Sequence, residues 1–135
     1  MATTTASVSV SSDIGDSGLS VSNTSTLYTA GTTTGLTTMT SVTKVLESTN
    51  QVDLITTGSV STTHAYVYIN NPSTDHTEFF HITIGNAGTG SPTDTEEIGR
   101  LYGGDWMWIP WDVDDDICIT PSVSTKMTVE YQVFS

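Results

Sequence analysis

The chain has 135 residues, with 15 acidic against 3 basic side chains and a net charge of -12, and roughly a third of it is Ser or Thr. That length suits one domain with one core. The charge argues against a nucleic-acid partner, because Lys44, Arg100 and Lys126 are the only cations and cannot displace counterions from a phosphate backbone. Low charge with abundant β-branched Thr points to a pleated, half-buried architecture rather than to disorder.

The amino terminus has neither a basic nor an apolar signal segment, and no window is apolar over the length that spans a membrane. The expectation is therefore a soluble protein made in the cytoplasm, with no membrane partner. Residues 1–7 read as a flexible arm on a single domain covering 1–135. Val8 and Val10, then Leu19 and Val21, alternate with serines and predict short, weakly specified strands, with Leu27 and Tyr28 ending at an Ala30-Gly31 turn. The competing reading of this stretch is a disordered low-complexity tail.

Between Leu36 and Leu46 the apolar residues fall at helical spacing, yet the Thr and Ser between them are poor helix formers, so a strand with a bulge is expected. Gln51 to Thr57 reads as a strand with Val52, Leu54 and Thr56 on one face. In Ala65 to Asn70, Val67 and Ile69 face one way and Tyr66 and Tyr68 the other, and Asn70-Asn71-Pro72 makes the stop. In Thr77 to Ile84, Phe80, Ile82 and Ile84 oppose Phe79, His81 and Thr83. Gly85 to Pro92 reads as a loop, extended by the acidic run from Thr93 to Glu97.

Gly99 to Trp111 holds every tryptophan in the chain. Gly103-Gly104 predicts a turn, Trp106 and Trp108 share one side of the strand that follows, and Met107, Ile109 and Trp111 share the other. Pro110 predicts a corner. Ile117, Cys118 and Ile119 form a strand ended by Pro121, and Met127 to Phe134 alternates with a clean period of two. Eight to ten short strands without a helix predict an all-β, antiparallel β-sandwich of jelly-roll type.

Chemistry-bearing residues are sparse. Asp112, Asp114, Asp115 and Asp116, with Asp105 nearby, have the alternating spacing of calcium loops, but the central Gly and distal Glu are missing. A solvated acidic turn and no metal are expected, with Asp112, Asp114 and Asp116 the residues a cation would use. His64, His76 and His81 match no zinc spacing, and the lone Cys118 reads as a small buried hydrophobe. No nucleophile elbow, phosphate loop or dinucleotide fingerprint is present, and Glu96 and Glu97 are adjacent rather than paired across a site. No enzyme and no cofactor are expected. The sequon Asn23-Thr24-Ser25 lacks a secretory context.

The run Glu97-Ile98-Gly99-Arg100-Leu101-Tyr102-Gly103-Gly104-Asp105-Trp106-Met107-Trp108-Ile109-Pro110-Trp111 resembles small virion structural proteins of marine, cyanophage-like tailed bacteriophages. In these, Gly-Arg-Leu-Tyr-x-Gly-Asp followed by aromatics and Pro-Trp comes after a Ser/Thr-rich amino-terminal half. The resemblance extends through Leu19 to Gly35 and through Thr120 to Phe134. It implies a multicopy decoration or cement protein on the outer surface of the head, bound to the major capsid protein and forming a homo-oligomer, with a trimer favoured. Arg100, Tyr102, Trp106, Trp108 and Trp111 are then the expected interface residues. A carbohydrate-binding or adhesin module of a head or tail fibre, and a neck or tail component, are the alternatives.

Overall fold

The computed structural model describes residues 2–15, 18–85 and 95–135. The chain divides into two compact units, Met1–Thr37 and Thr38–Ser135. Both four-stranded sheets lie in the second unit, and the first holds a separate two-stranded ribbon.

In the first unit β1 (Thr4–Ser12) and β2 (Leu19–Leu27) pair antiparallel, from Thr4 opposite Leu27 to Ser12 opposite Leu19. Residues 1–7 are therefore not a loose arm beyond Thr3: Thr4 to Ser7 already belong to a strand. Directly opposed residues share a face. Val8, Val10, Val21 and Leu19 lie on one face of the ribbon, and every position from Thr5 to Ser11 and Ser20 to Thr26 on the other is Ser or Thr. Ser7 and Thr24 hydroxyls meet across that face at 2.9 Å. After β2 the chain closes a short loop, Thr29 N donating to Thr34 O at 2.8 Å, with Gly31 at a φ of 69° that favours glycine.

The second unit contains two four-stranded antiparallel sheets. One runs in the order β3 (Met39–Leu46), β10 (Met127–Phe134), β5 (His64–Asn70), β8 (Trp106–Asp112). The other runs β4 (Val52–Ile55), β9 (Ile117–Pro121), β6 (Phe79–Gly85), β7 (Thr95–Tyr102). Successive strands alternate between sheets except at the β6–β7 hairpin, and this interleaved order is that of a jelly roll. The inward positions of both sheets meet in one core, where Trp111, Phe80, Ile69, Ile82, Ile117, Ile119, Val67 and Val129 are fully buried.

Period-two alternation explains most of these strands, and the exceptions have local causes. β3 pairs with β10 in unbroken register from Met39 to Leu46, so the expected bulge is absent and Leu36 precedes the strand. The irregularity lies in β4, where the register shifts between Asp53 and Ile55. That shift turns both Leu54 and Ile55 into the core instead of leaving Leu54 and Thr56 on one face. β8 continues through Pro110 to Asp112 rather than turning a corner. It is an edge strand, the place in a sheet where proline is accommodated. β7 begins at Thr95, earlier than expected, and a shift between Ile82 and Thr83 skips Ile98 and leaves it exposed. Of the expected Gly85 to Pro92 loop, Gly85 ends β6 and the remainder lies outside the described residues. The only helical turn among the described residues is a 3-10 turn at Thr57–Ser59.

Candidate interaction surface

Strand β8 is two-faced because the pleat sends alternate side chains to opposite sides. Met107, Ile109 and Trp111 point inward and Trp106 and Trp108 outward, as expected from the alternation. Trp111 is 1% exposed, and its indole N–H donates to Asp115 O at 2.8 Å. A ring so enclosed is core, so the expectation that Trp111 belongs to an interface is corrected.

The outward rings meet partners that the linear sequence does not reveal. β5 lies between β8 and β10, placing Tyr68 opposite Trp108, Tyr66 opposite Pro110, and Phe134 on the far side of Tyr66. Tyr66 stacks on Trp108 with centroids 5.8 Å apart and planes at 13°, and Trp108 reaches Phe134 at 5.5 Å. Tyr68 meets Trp106 at 6.1 Å, and His64 packs edge-on to Tyr66 at 5.0 Å. Trp106 remains 50% exposed and Met39, opposite Phe134, 64%. Polar groups adjoin the rings. Asn70 Nδ2 donates to Glu130 Oε2 at 3.0 Å, and Gln132 Nε2 donates to Ser41 Oγ at 3.2 Å. The outer face of this sheet is thus an aromatic surface whose rings hold one another in place, bordered by amide and carboxylate groups.

Arg100 and Tyr102 are not part of it. They lie on the outer face of the other sheet, where the Arg100 guanidinium sits 5.0 Å from the centre of the Phe79 ring and Tyr102 packs on Phe79 at 5.1 Å. His81 approaches Glu97 at 3.1 Å and Phe79 at 5.1 Å, so this histidine is packed on a surface cluster. The five residues expected to form one interface therefore separate into two opposite outer faces and the core.

The turn between β7 and β8 causes the separation by carrying the chain from one sheet to the other. Gly104 has a φ of 88°, and a Cβ on Gly103 would overlap the backbone of Asp75 and Ser73. The neighbouring loop is braced by Asp75, whose carboxyl accepts from the Thr77 hydroxyl at 2.6 Å and the Thr77 N–H at 2.9 Å. These bonds hold it below the usual carboxylate range. His76 Nδ1 lies 2.7 Å from Gly103 O. Asn71, which the sequence presents only as a strand stop, is fully buried beneath this turn. An Asn beside a Pro after an alternating strand was a signal for a turn but not for burial.

The acidic stretch serves the fold. Asp116 Oδ1 accepts from Thr57 N at 2.7 Å, Asp115 supplies the carbonyl to Trp111, and Val113, between Trp111 and Asp115 in sequence, is buried. Asp105 Oδ2 accepts from Tyr102 N at 3.0 Å within the glycine turn. Asp112 is an exposed end of β8 opposite His64. Among the described residues, Asp112, Asp114 and Asp116 do not join any group of three or more His, Cys, Asp or Glu side chains arranged to hold a metal ion. Cys118 is buried in β9, with Sγ 3.4 Å from Asp53 Oδ1 and 3.3 Å from Gly85 O. A cleft of about 230 Å³ opens beside Leu54, Ile55, Val60, Tyr131 and Val133. Burial there pushes the Tyr131 phenol above its usual pKa. No helix among the described residues is long and apolar enough to cross a membrane.

No protein-family model matches the chain, and no curated protein matches it either. Among solved structures the chain is similar to the Yersinia pseudotuberculosis-derived mitogen (YPM), at 14% identity and a TM-score of 0.44, over 71% of this chain and 84% of that one. A likeness at that level bears on neither activity nor partners.

Proposed function

We propose that this protein is a non-enzymatic structural component of a bacteriophage virion, a decoration protein that binds the outer surface of the head and stabilises it. The observation that carries the reading is the aromatic outer face formed by Trp106 and Trp108 of β8, Tyr66 and Tyr68 of β5 and Phe134 of β10. Rings already ordered by their neighbours lose little side-chain entropy on contact, and Trp and Tyr dominate the energetics of protein interfaces. The motif that resembles virion proteins of marine tailed phages supplies the setting, with the major capsid protein as partner. Several copies would act together, with a trimer favoured. Arg100 and Tyr102, on the opposite face, would then point away from the surface that the tryptophans engage.

The test is rebinding of purified protein to heads stripped of it. Replacing both Trp106 and Trp108 by Ala should weaken binding by roughly thirtyfold or more, the scale of a lost hot spot of about 2 kcal/mol. Unchanged binding of that variant, or no rebinding by the parent protein, would sink the reading.

Asn70, Glu130 and Gln132 beside the rings favour a second reading, a carbohydrate-binding module of a head or tail fibre, because sugar hydroxyls need such groups next to an apolar platform. Binding to polysaccharide from the host envelope, lost in the same double variant, would select it over the first. A neck or tail location would show as rebinding to tail particles instead of heads.

A further inference from the structure

We infer that the β1–β2 ribbon is a self-association arm whose apolar face packs against the same face of the arm from a second copy of this chain. The inference deepens the reading of a multicopy protein and rests on it for the presence of several copies, though not for the capsid.

Three observations converge on the ribbon. Its two faces differ: one carries Val8, Val10, Leu19 and Val21, between 37% and 56% exposed, with Asn23 opposite Val8 and Ser12 opposite Leu19, while the other carries only hydroxyl side chains. A two-stranded ribbon is marginal by itself in water, so an exposed apolar stripe on such a ribbon is a surface awaiting cover. Second, neither Thr4–Ser12 nor Leu19–Leu27 contains a charged residue, in a chain whose net charge is -12. Copies of so acidic a protein repel one another, and the ribbon is where two of them can approach with the least repulsion. Third, the stripe offers no charge with which a different protein could set orientation, whereas partners of unlike sequence commonly use complementary charge for that purpose. A stripe centred on the opposed pair Val10 and Val21 can meet itself across a two-fold axis, which brings the same residues together from each copy.

Size sets the strength. Strands of nine residues at about 3.3 Å each, two of them about 4.8 Å apart, present roughly 300 Å² per ribbon face. That is well under the ~800 Å² per partner of a stable pair. Arm-to-arm contact alone is therefore reversible, and copies held side by side on a common support would favour it through effective concentration.

The experiment is sedimentation of the whole 135-residue protein from micromolar to millimolar concentration. The average mass should rise above the 14.4 kDa of one chain as concentration increases. Val10→Thr with Val21→Thr keeps β-branched side chains and strand propensity but removes apolar area, and should weaken association by about tenfold or more, corresponding to about 1.4 kcal/mol. Ser9→Thr with Ser22→Thr, the adjacent opposed pair on the hydroxyl face, should leave it unchanged. Tryptophan fluorescence should be identical in all three proteins, because Trp106, Trp108 and Trp111 all belong to the other unit. A parent protein that stays at one chain mass throughout, a valine variant that associates as well as the parent, or equal weakening by both variants would overturn the inference. Head binding is scored separately: an oligomer that ignores stripped heads defeats the decoration reading alone, and a monomer that binds them defeats this one alone.

Discussion

The side-chain amide of Asn71 donates to the backbone carbonyl of Leu101 at 3.1 Å from a fully buried position. Its Oδ1 accepts from Ser73 N at 3.2 Å, its own N–H reaches Asp105 O at 3.0 Å, and its carbonyl accepts from Gly104 N at 2.9 Å. One residue just beyond β5 thereby satisfies the carbonyl of Leu101 near the end of β7 and both sides of the turn into β8. Because that turn changes sheets, Asn71 helps decide that Tyr102 and Trp106 face opposite sides of the sandwich.

Asn71→Leu should therefore destabilise the protein by about 1–3 kcal/mol, the cost of leaving a buried carbonyl unsatisfied. Thermal melting followed by far-ultraviolet circular dichroism reads this directly. An unchanged melting temperature would mean that solvent or another donor replaces the amide.

The two glycines of the turn should differ in sensitivity. Gly104→Ala forces an L side chain to a positive φ, at about 1–2 kcal/mol, with room for the methyl near His76. Gly103→Ala drives a methyl into the backbone of Asp75 and must displace the loop from Ser73 to Asp75. Gly103→Ala should melt at the lower temperature; the reverse order would contradict the packing described.

Single-tryptophan proteins separate the three rings. With Trp106 and Trp108 replaced by Phe, emission from Trp111 should be blue-shifted and resist iodide, since the ring is buried and its N–H bonded. A protein retaining only Trp106 should be quenched readily, given its half-exposed ring. Strong quenching of Trp111 would remove it from the core.

Alkaline pH offers a fourth check. The Tyr131 phenol is raised above its ordinary value of 10.0 by burial, whereas the unfolded chain ionises near that value. Below the ordinary value both states are protonated and stability does not depend on this group. As pH rises past about 10 the unfolded state loses its proton first, and the folding free energy falls. Urea midpoints measured across that range should decline less steeply for Tyr131→Phe than for the parent. Parallel declines would show that Tyr131 is fully solvated.

Removing Glu130 to Ser135 takes most of β10, which lies between β3 and β5 and pairs with both. Soluble protein should be lost. A truncated chain with a cooperative melting transition would show that the sheet can close without it.

Alternation along β5, β6 and β10 made their inward and outward faces readable from the chain alone. A side chain's face depends only on the parity of its position, and Val67, Ile69, Phe80, Ile82, Val129 and Val133 all turn inward as that parity requires. The inward set of Met107, Ile109 and Trp111 was legible for the same reason, as was the all-β class from composition and the spacing of turns. Parity does not say which strands pair. Tyr66, Tyr68 and Phe134 became neighbours of Trp106 and Trp108 only when β5 took its place between β8 and β10, both distant from it along the chain. The separation of Arg100 from Trp106 likewise required the change of sheet at Gly103-Gly104, since proximity in sequence says nothing about opposite sides of a sandwich. Composition and alternation are local and determined which faces are apolar; long-range hydrogen bonding between strands decided which apolar faces became core and which became surface.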